Sequence, residues 1–264
     1  MMQEKWALIT GASSGIGKDF SRELAKQGWN VILVARREDR LLELKVEIEK
    51  SFSVKADYVK ADLARIEDRE RVITYFEKYP ISFLVNNAGL QSRGKFDEKS
   101  FQESNHLIEV NVTALVYLAR AAIIQFKKRG TTSYLLNVGS LNSYIATGDS
   151  AIYSGTKAFV KSFSLALSEE LNGTNIHCTC FCPGGTESEI LNGTGVQLAS
   201  GGEKYMMKSS LVARIGIESA FQQKHTAIPG FLNKFNVLLS KVLPEKWMTA
   251  ISSRMLRSML LSSK

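Results

Sequence analysis

No run of apolar residues in this chain approaches the ~20 needed to cross a membrane. Runs such as residues 6–9 and 31–35 are the size of strands. The opening Met-Met-Gln-Glu-Lys enters a strand-like segment at once, which leaves no room for a signal peptide and makes a cytoplasmic location the expectation. Cysteine is scarce: Cys178, Cys180 and Cys182 alternate, so they share one face of a strand. Same-face neighbours on a strand lie about 6.6 Å apart, an awkward spacing for one tetrahedral metal ion. They read as buried thiols acting as small hydrophobes, and no metal is expected. Internal repeats and low-complexity tracts are also missing. The Asn-x-Ser/Thr sequons that begin at Asn111, Asn172 and Asn192 carry no meaning in a chain read as cytoplasmic.

What is present suits one large α/β domain of 264 residues, 44% of them apolar and 23% charged. A chain of this length buries roughly 70–75% of its unfolded surface and needs no disulfide or metal staple. The net charge of +8 is unevenly spread. Residues 204–264 hold ten Lys/Arg against only Glu218 and Glu245, so the first 203 residues are neutral. A charge excess confined to one end points to a local anionic partner. Nothing in its pattern suggests nucleic acid.

Strand and helix patterns alternate along the chain. Strands are expected at 5–10, 31–35, 58–60, 81–85, 134–138 and 175–182, with a short one at 226–228. Helices are expected at 16–27, 37–50, 65–78, 101–128, 150–171 and 208–223, followed by two amphipathic helices to the end. Strands that are apolar throughout and separated by helices form a parallel sheet covered on both faces. Residues 184–202 turn to Gly, Ser, Thr and Asn and read as a loop or lid.

The first strand passes into the first helix through Thr10-Gly-Ala-Ser-Ser-Gly-Ile-Gly17. Gly11 allows a sharp turn, Gly15 lets backbone approach a pyrophosphate, and Gly17 permits close packing of the helix. The helix N-terminus offers N–H groups and a positive dipole end to phosphate. The spacing T-G-x-x-x-G-x-G resembles the short-chain dehydrogenase/reductase family. That resemblance implies a Rossmann-type doubly wound parallel sheet in a single domain over 1–264, with a substrate lid at 185–205 and basic amphipathic helices at 229–264.

Cofactor choice is read where the second strand ends. An NAD enzyme usually carries an acid there for the ribose hydroxyls, whereas this chain has Ala35-Arg36-Arg37 and no carboxylate before Glu38. Arg36, helped by Arg37, suits the 2′-phosphate of NADP(H), which is expected over NAD(H). Many NADP members of the family have Lys or Arg before the second motif glycine, where this chain has Ser14. Further resemblance assigns cofactor contacts to Ser13, Ser14 and Ile16 in the glycine loop, and to Asp62 and Leu63 beside the adenine. The Asn-Asn-Ala-Gly stretch adds Asn87, Ala88 and Gly89 along the ribose. After the cysteine strand, Pro183, Gly184 and Ser188 match P-G-x-x-x-T, with Thr186 as the fallback for the nicotinamide carboxamide.

Tyr153-Ser-Gly-Thr-Lys157 places a phenol and an ammonium on one helical face. A nearby cation lowers a phenol's pKa toward a useful range. Ser140 follows an apolar strand at the carboxyl edge of the sheet, and Asn111 is a polar misfit within a helical run. These four resemble the family's Asn-Ser-Tyr-Lys tetrad. The resemblance implies Tyr153 as general acid, Ser140 polarising a carbonyl, Lys157 on the nicotinamide ribose, and Asn111 anchoring a proton-relay water.

The lid has Ile190, Leu191, Val196 and Leu198 but no Arg or Lys before Lys204, which favours a hydrophobic ketone, aldehyde or 3-oxoacyl substrate. The competing reading is a catalytically silent NADP(H)-sensing or scaffold protein on the same fold. In the C-terminal quarter, Phe231, Phe235, Leu238, Leu239 and Val242 recur at helical spacing, as do Met248, Ile251, Met255 and Met259. Such faces pack on the core or on a sister subunit of a homo-oligomer. That is the favoured reading; the lesser alternatives are an anionic membrane surface, or an acidic acyl carrier or coenzyme A.

Overall fold

The computed structural model describes residues 4–187, 197–198 and 206–261. Seven parallel strands form one sheet in the order β3-β2-β1-β4-β5-β6-β8. They are β1 (Trp6–Thr10), β2 (Asn30–Ala35), β3 (Ala56–Lys60), β4 (Ile81–Asn86), β5 (Ser133–Val138), β6 (Ile176–Phe181) and β8 (Thr226–Ala227). Helices α1 (Gly15–Lys26), α2 (Glu38–Ser51), α3 (Ile66–Lys78), α4 (Phe101–Ile108), α5 (Ala114–Arg129), α6 (Ala151–Glu170) and α7 (Ser209–Phe221) cover its faces. This is the expected Rossmann-type, doubly wound single domain.

The uniformly apolar strands follow from burial on both faces. On β1 and β2, Ala7, Ile9, Val31 and Leu33 join one core cluster with Phe20, Phe83, Phe181 and Ile217. The alternate residues Leu8, Ile32 and Val34 join a second cluster with Phe76, Leu84, Leu118 and Phe126. The pleat thus sends successive side chains into two separate cores. Strand order reverses between β1 and β4, and at such a switch point their carboxyl ends diverge into a crevice.

Most expected boundaries hold within two residues. The long helix expected at 101–128 differs. It begins with a capping box, in which Glu103 N–H donates to Ser100 Oγ. It then widens into a π-turn over Glu109–Thr113 before continuing as α5. The π-turn accommodates one extra residue, and Glu109 is fixed there by buried Arg69, whose Nη1 lies 2.6 Å from Glu109 Oε2. Together the 29 residues Phe101–Arg129 are long and apolar enough to cross a membrane by length and composition alone. They bury Leu107, Leu115, Leu118 and Phe126, as a core helix of a globular domain does.

The C-terminal faces depart further from a self-packed domain. Helix α8 (Phe231–Val242) buries only Val237, while Phe231 and Val242 are 81% and 75% exposed. Helix α9 (Glu245–Met259) buries Met248 and Ser253 and exposes Trp247, Ile251 and Met255. Most of the expected apolar stripe therefore faces away from the chain's own core. The polar side of α9 docks near the start of α6: Gly148 N–H donates to Ser253 Oγ at 2.7 Å, and Arg257 Nε donates to Asp149 Oδ2 at 2.6 Å. A short strand β7 (Gln197–Leu198) pairs antiparallel with β9 (Leu260–Leu261). The rest of the lid expected at 185–205, beyond Glu187, lies outside the described residues, as does Ser188.

Candidate active site

The crevice between β1 and β4 is held by Thr10. Its hydroxyl accepts hydrogen bonds from the N–H groups of Asn87 and Ala88, both at 2.9 Å, and donates to Val85 O at 3.3 Å. Asn87 Nδ2 returns a bond to Thr10 O at 2.9 Å. The glycine loop and the Asn-Asn-Ala-Gly loop are therefore one unit. A cleft of about 530 Å³ opens over it.

Every cofactor residue expected from Gly11 to Gly89 lines that cleft. The glycine loop contributes Gly11, Ser13, Ser14, Gly15, Ile16 and Gly17; Arg36 and Arg37 stand at one end; Asp62, Leu63, Asn87, Ala88 and Gly89 complete the wall. Gly15 starts α1 with φ +53°, a conformation that favours glycine. At Gly17 a Cβ would sit 2.2 Å from Gly11 O, so no side chain fits. Ser14 at the N-cap makes no side-chain capping bond, and the first turn has no acid. The N–H groups of α1 are thus left to the cleft.

The two arginines are not equivalent. Arg37 Nε and Nη2 donate to Ser13 Oγ at 3.3 and 3.1 Å, tying the start of α2 to the glycine loop. Arg36 is exposed at the cleft and makes no hydrogen bond or ion pair among the described residues. Asp62 has a local task as well, since its Oδ1 accepts from Ala64 N–H at 3.1 Å. Thr186 is buried, with its hydroxyl donating to Gly184 O at 3.0 Å. It stands with Pro183 and Gly184 outside the cleft wall.

The tetrad gathers beyond Gly89. Asn111 lies in the π-turn, where its amide grips Leu90: Leu90 N–H donates to Oδ1 at 2.7 Å, and Nδ2 donates to Leu90 O at 2.9 Å. Nδ2 also donates to Thr156 Oγ1 at 3.1 Å, beside Lys157. A Cβ on Gly89 would lie 3.5 Å from both Asn111 Oδ1 and Lys157 Nζ, which brings these three residues to one point. Lys157 Nζ donates to Val138 O at 2.8 Å and lies 5.8 Å from the Tyr153 ring centre. Ser140, half-buried after β5, accepts from Asn142 N–H at 3.2 Å.

Burial is the leading influence on both titrating groups of the pair. Burial pushes the Tyr153 phenol up, opposed by a hydrogen bond with Ser140 and by the charge of Arg93. Burial also pulls the Lys157 ammonium down to about 8. Besides Lys157, 5.8 Å from the ring, Arg93 also acts on Tyr153, and the sequence reading passed over it. Its one signal was an arginine four places after Gly89, in a loop at the carboxyl edge of the sheet. The three thiols are free and buried, as expected, with Cys180 Sγ 3.6 Å from Cys182 Sγ.

The family model described as short chain dehydrogenase matches residues 5–197. A very-long-chain 3-oxoacyl-CoA reductase of Meyerozyma guilliermondii is 36% identical over 178 residues, covering 63% of this chain and 52% of that protein. The chain thus spans about half the length of the 3-oxoacyl-CoA reductases it matches. The 17-beta-hydroxysteroid dehydrogenase type 3 of Mus musculus is 30% identical over 87% of this chain and 76% of its own. Among solved structures, a short-chain dehydrogenase from Sphingobium yanoikuyae in complex with NADPH superposes with a TM-score of 0.82. It is 27% identical and covers 98% of this chain and 97% of its own.

The depressed lysine has a testable sign. Between about 8 and its ordinary value near 10.4 the unfolded chain binds more protons than the folded one, so stability rises with pH through that window. Denaturant titrations of the unliganded protein and of Lys157→Met should therefore diverge from pH 8 to 10. The wild type should gain relative to the variant by up to about 1 kcal/mol per pH unit. A constant difference would mean that Lys157 titrates as an ordinary lysine.

Proposed function

The chain belongs to the short-chain dehydrogenase family, and on that premise we propose that it is an NADPH-dependent reductase or dehydrogenase. It moves a hydride between the nicotinamide and a carbonyl or alcohol, with a hydrophobic ketone, aldehyde or 3-oxoacyl group as substrate. The observation that carries this reading is the convergence of Gly89, Asn111 and Lys157 at one point beside the buried Tyr153, where the cleft ends.

The residues present fit the dinucleotide. The uncapped N-terminus of α1 and the side-chain-free surface at Gly17 suit a pyrophosphate. Exposed Arg36, with no acid before Glu38, suits a 2′-phosphate. Because Arg37 already bonds Ser13, Arg36 is the main phosphate ligand and Arg37 positions the loop. Bound NADPH supplies the hydride. Tyr153 gives its proton to the carbonyl oxygen, and burial, which holds that proton on the phenol, suits the reductive direction. Ser140 donates to the same oxygen. Lys157 holds the ribose hydroxyls and returns a proton to Tyr153, supplied through a water at Asn111.

The relatives' names support an apolar substrate, since one speaks of a very-long-chain acyl group and the other of a steroid. The exposed apolar faces of α8 and α9 support a homo-oligomer in which a sister subunit covers them.

Three measurements test this reading. Tyr153→Phe should keep NADPH affinity while turnover falls by about 10²–10⁴-fold, and unchanged turnover on a reducible ketone would dismiss the acid assignment. In fluorescence titrations NADPH should bind much more tightly than NADH, and Arg36→Ala should narrow the gap; equal affinities in the wild type would overturn the cofactor choice. Truncation before Lys246 should give monomer or insoluble protein by light scattering. A soluble truncation of unchanged mass that has lost liposome binding would transfer the helices to a lipid surface.

A further inference from the structure

The loop that follows Gly89 carries an arginine whose charge no other described residue answers. Its main chain is fixed on both sides of Arg93. Asn111 clamps Leu90. Ser92 O accepts from Ser150 Oγ at 3.2 Å, and Gly94 N–H donates to Asp149 O at 2.9 Å. Gly94 has φ +112°, which favours glycine and turns the chain directly after Arg93. The arginine is thereby held against the residues that precede Tyr153 in α6.

Its side chain is half-buried, and two of its nitrogens are shut away without compensation. Nε and Nη1 are buried and have no hydrogen-bond partner, and no carboxylate pairs with the guanidinium, among the described residues. Burial pulls its pKa below the ordinary arginine value, and the one titrating group recorded against it is Tyr153. Other arginines of the chain find an acid or carbonyls, even Arg69, whose Nε is likewise without a partner. Arg69 pairs with Glu109 at 2.6 Å. Arg129 donates to the carbonyls of Ile81, Phe76 and Tyr79. A desolvated cation without partners is costly, and a fold that keeps one beside a reactive phenol is arranged for a ligand that brings the anion.

The wall of the glycine-loop cleft runs through Leu90 and Gln91 and stops before Ser92, so Arg93, like Tyr153 and Lys157, stands past its end, and the bonds of its loop to Ser150 and Asp149 place it beside the start of the Tyr153 helix. Building on the reading of Tyr153 as the proton donor, we propose that Arg93 receives a substrate carboxylate close to the carbonyl being reduced. The preferred substrates are then oxo acids with an apolar tail. The absence of a cation from the lid sequence up to Lys204 pointed away from a clamped carboxylate, but the loop after β4 supplies that cation instead.

The test compares 4-oxodecanoate with its methyl ester, and decanoate with decanol. Wild-type kcat/KM should favour the acid over the ester by about ten- to a hundredfold, the range of a charge-assisted hydrogen bond. In Arg93→Leu this ratio should fall to near unity, and Arg93→Lys should retain part of it. Calorimetry on the NADPH complex should show decanoate binding more tightly than decanol in the wild type, with the preference lost in Arg93→Leu. Arg93→Leu should melt no lower than the wild type, because it removes an unpaired buried charge. An ester reduced as well as the acid by the wild type, or decanoate affinity that survives Arg93→Leu, would overturn the proposal. Should neither ketone be reduced, the reductase reading fails, and decanoate binding still decides the role of Arg93.

Discussion

The hydroxyl of Thr10 ties together two loops beyond the end of the β1–β4 ladder. Parallel strands that diverge at a switch point leave the ends of β1 and β4 without ladder partners. Thr10 fills that gap by accepting from Asn87 and Ala88 and donating to Val85, while Asn87 bonds back to Thr10 O. The glycine loop then cannot shift without carrying the ribose-side loop with it. Gly17 depends on the same stitch, since its missing side chain leaves the space that Gly11 O and Asn87 Nδ2 occupy. A rigid cleft floor follows from one short polar side chain, and a larger or apolar residue there would leave two N–H groups unpaired.

Beyond that floor the dominant force is desolvation. Tyr153 and Lys157 are both buried, and each is driven toward its neutral form. A neutral phenol can donate a proton, and burial keeps the proton on Tyr153, which is the state the proposed reduction requires. The Lys157 ammonium is steadied instead by Val138 O, at the end of the strand that leads to Ser140. The same environment makes Arg93 costly to keep unless a ligand answers it. Low dielectric thus serves two ends: it keeps a proton in place and it raises the value of an incoming negative charge.

How much of this was legible in the sequence depends on whether a residue acts alone or through partners. The strands were readable because burial on both faces leaves β1 and β2 apolar between Thr10 at the end of one and Asn30 at the start of the other, and the glycine loop because few residues tolerate its geometry. Asn111 stood out as a poor helix former, although the π-turn that it occupies did not, since its buttress is a contact with α3 some forty residues earlier. Arg36 and Arg37 looked alike until the bond from Arg37 to Ser13 separated them. The periodicity of α8 and α9 was real, but a period identifies a face and not what covers it. Arg93 escaped because its meaning lies in the partners it lacks, and sequence records no such absence.

The substrate side is a single mechanical unit that extends to the C-terminal helices. Asp149, at φ +59°, accepts Gly94 N–H through its carbonyl and pairs with Arg257 of α9 through its carboxylate. Thr147 and Gly148 meet Ser252 and Ser253 of the same helix. Asn142, which holds Ser140 Oγ through its N–H, also donates to Thr147 and Ser154. The Arg93 loop, the Ser140 turn and the start of the Tyr153 helix therefore share one knot, and α9 closes it. Whatever covers the exposed apolar face of α9 presses on that knot. Covering that face would act on the same set of bonds that fixes the Arg93 loop and the start of the Tyr153 helix.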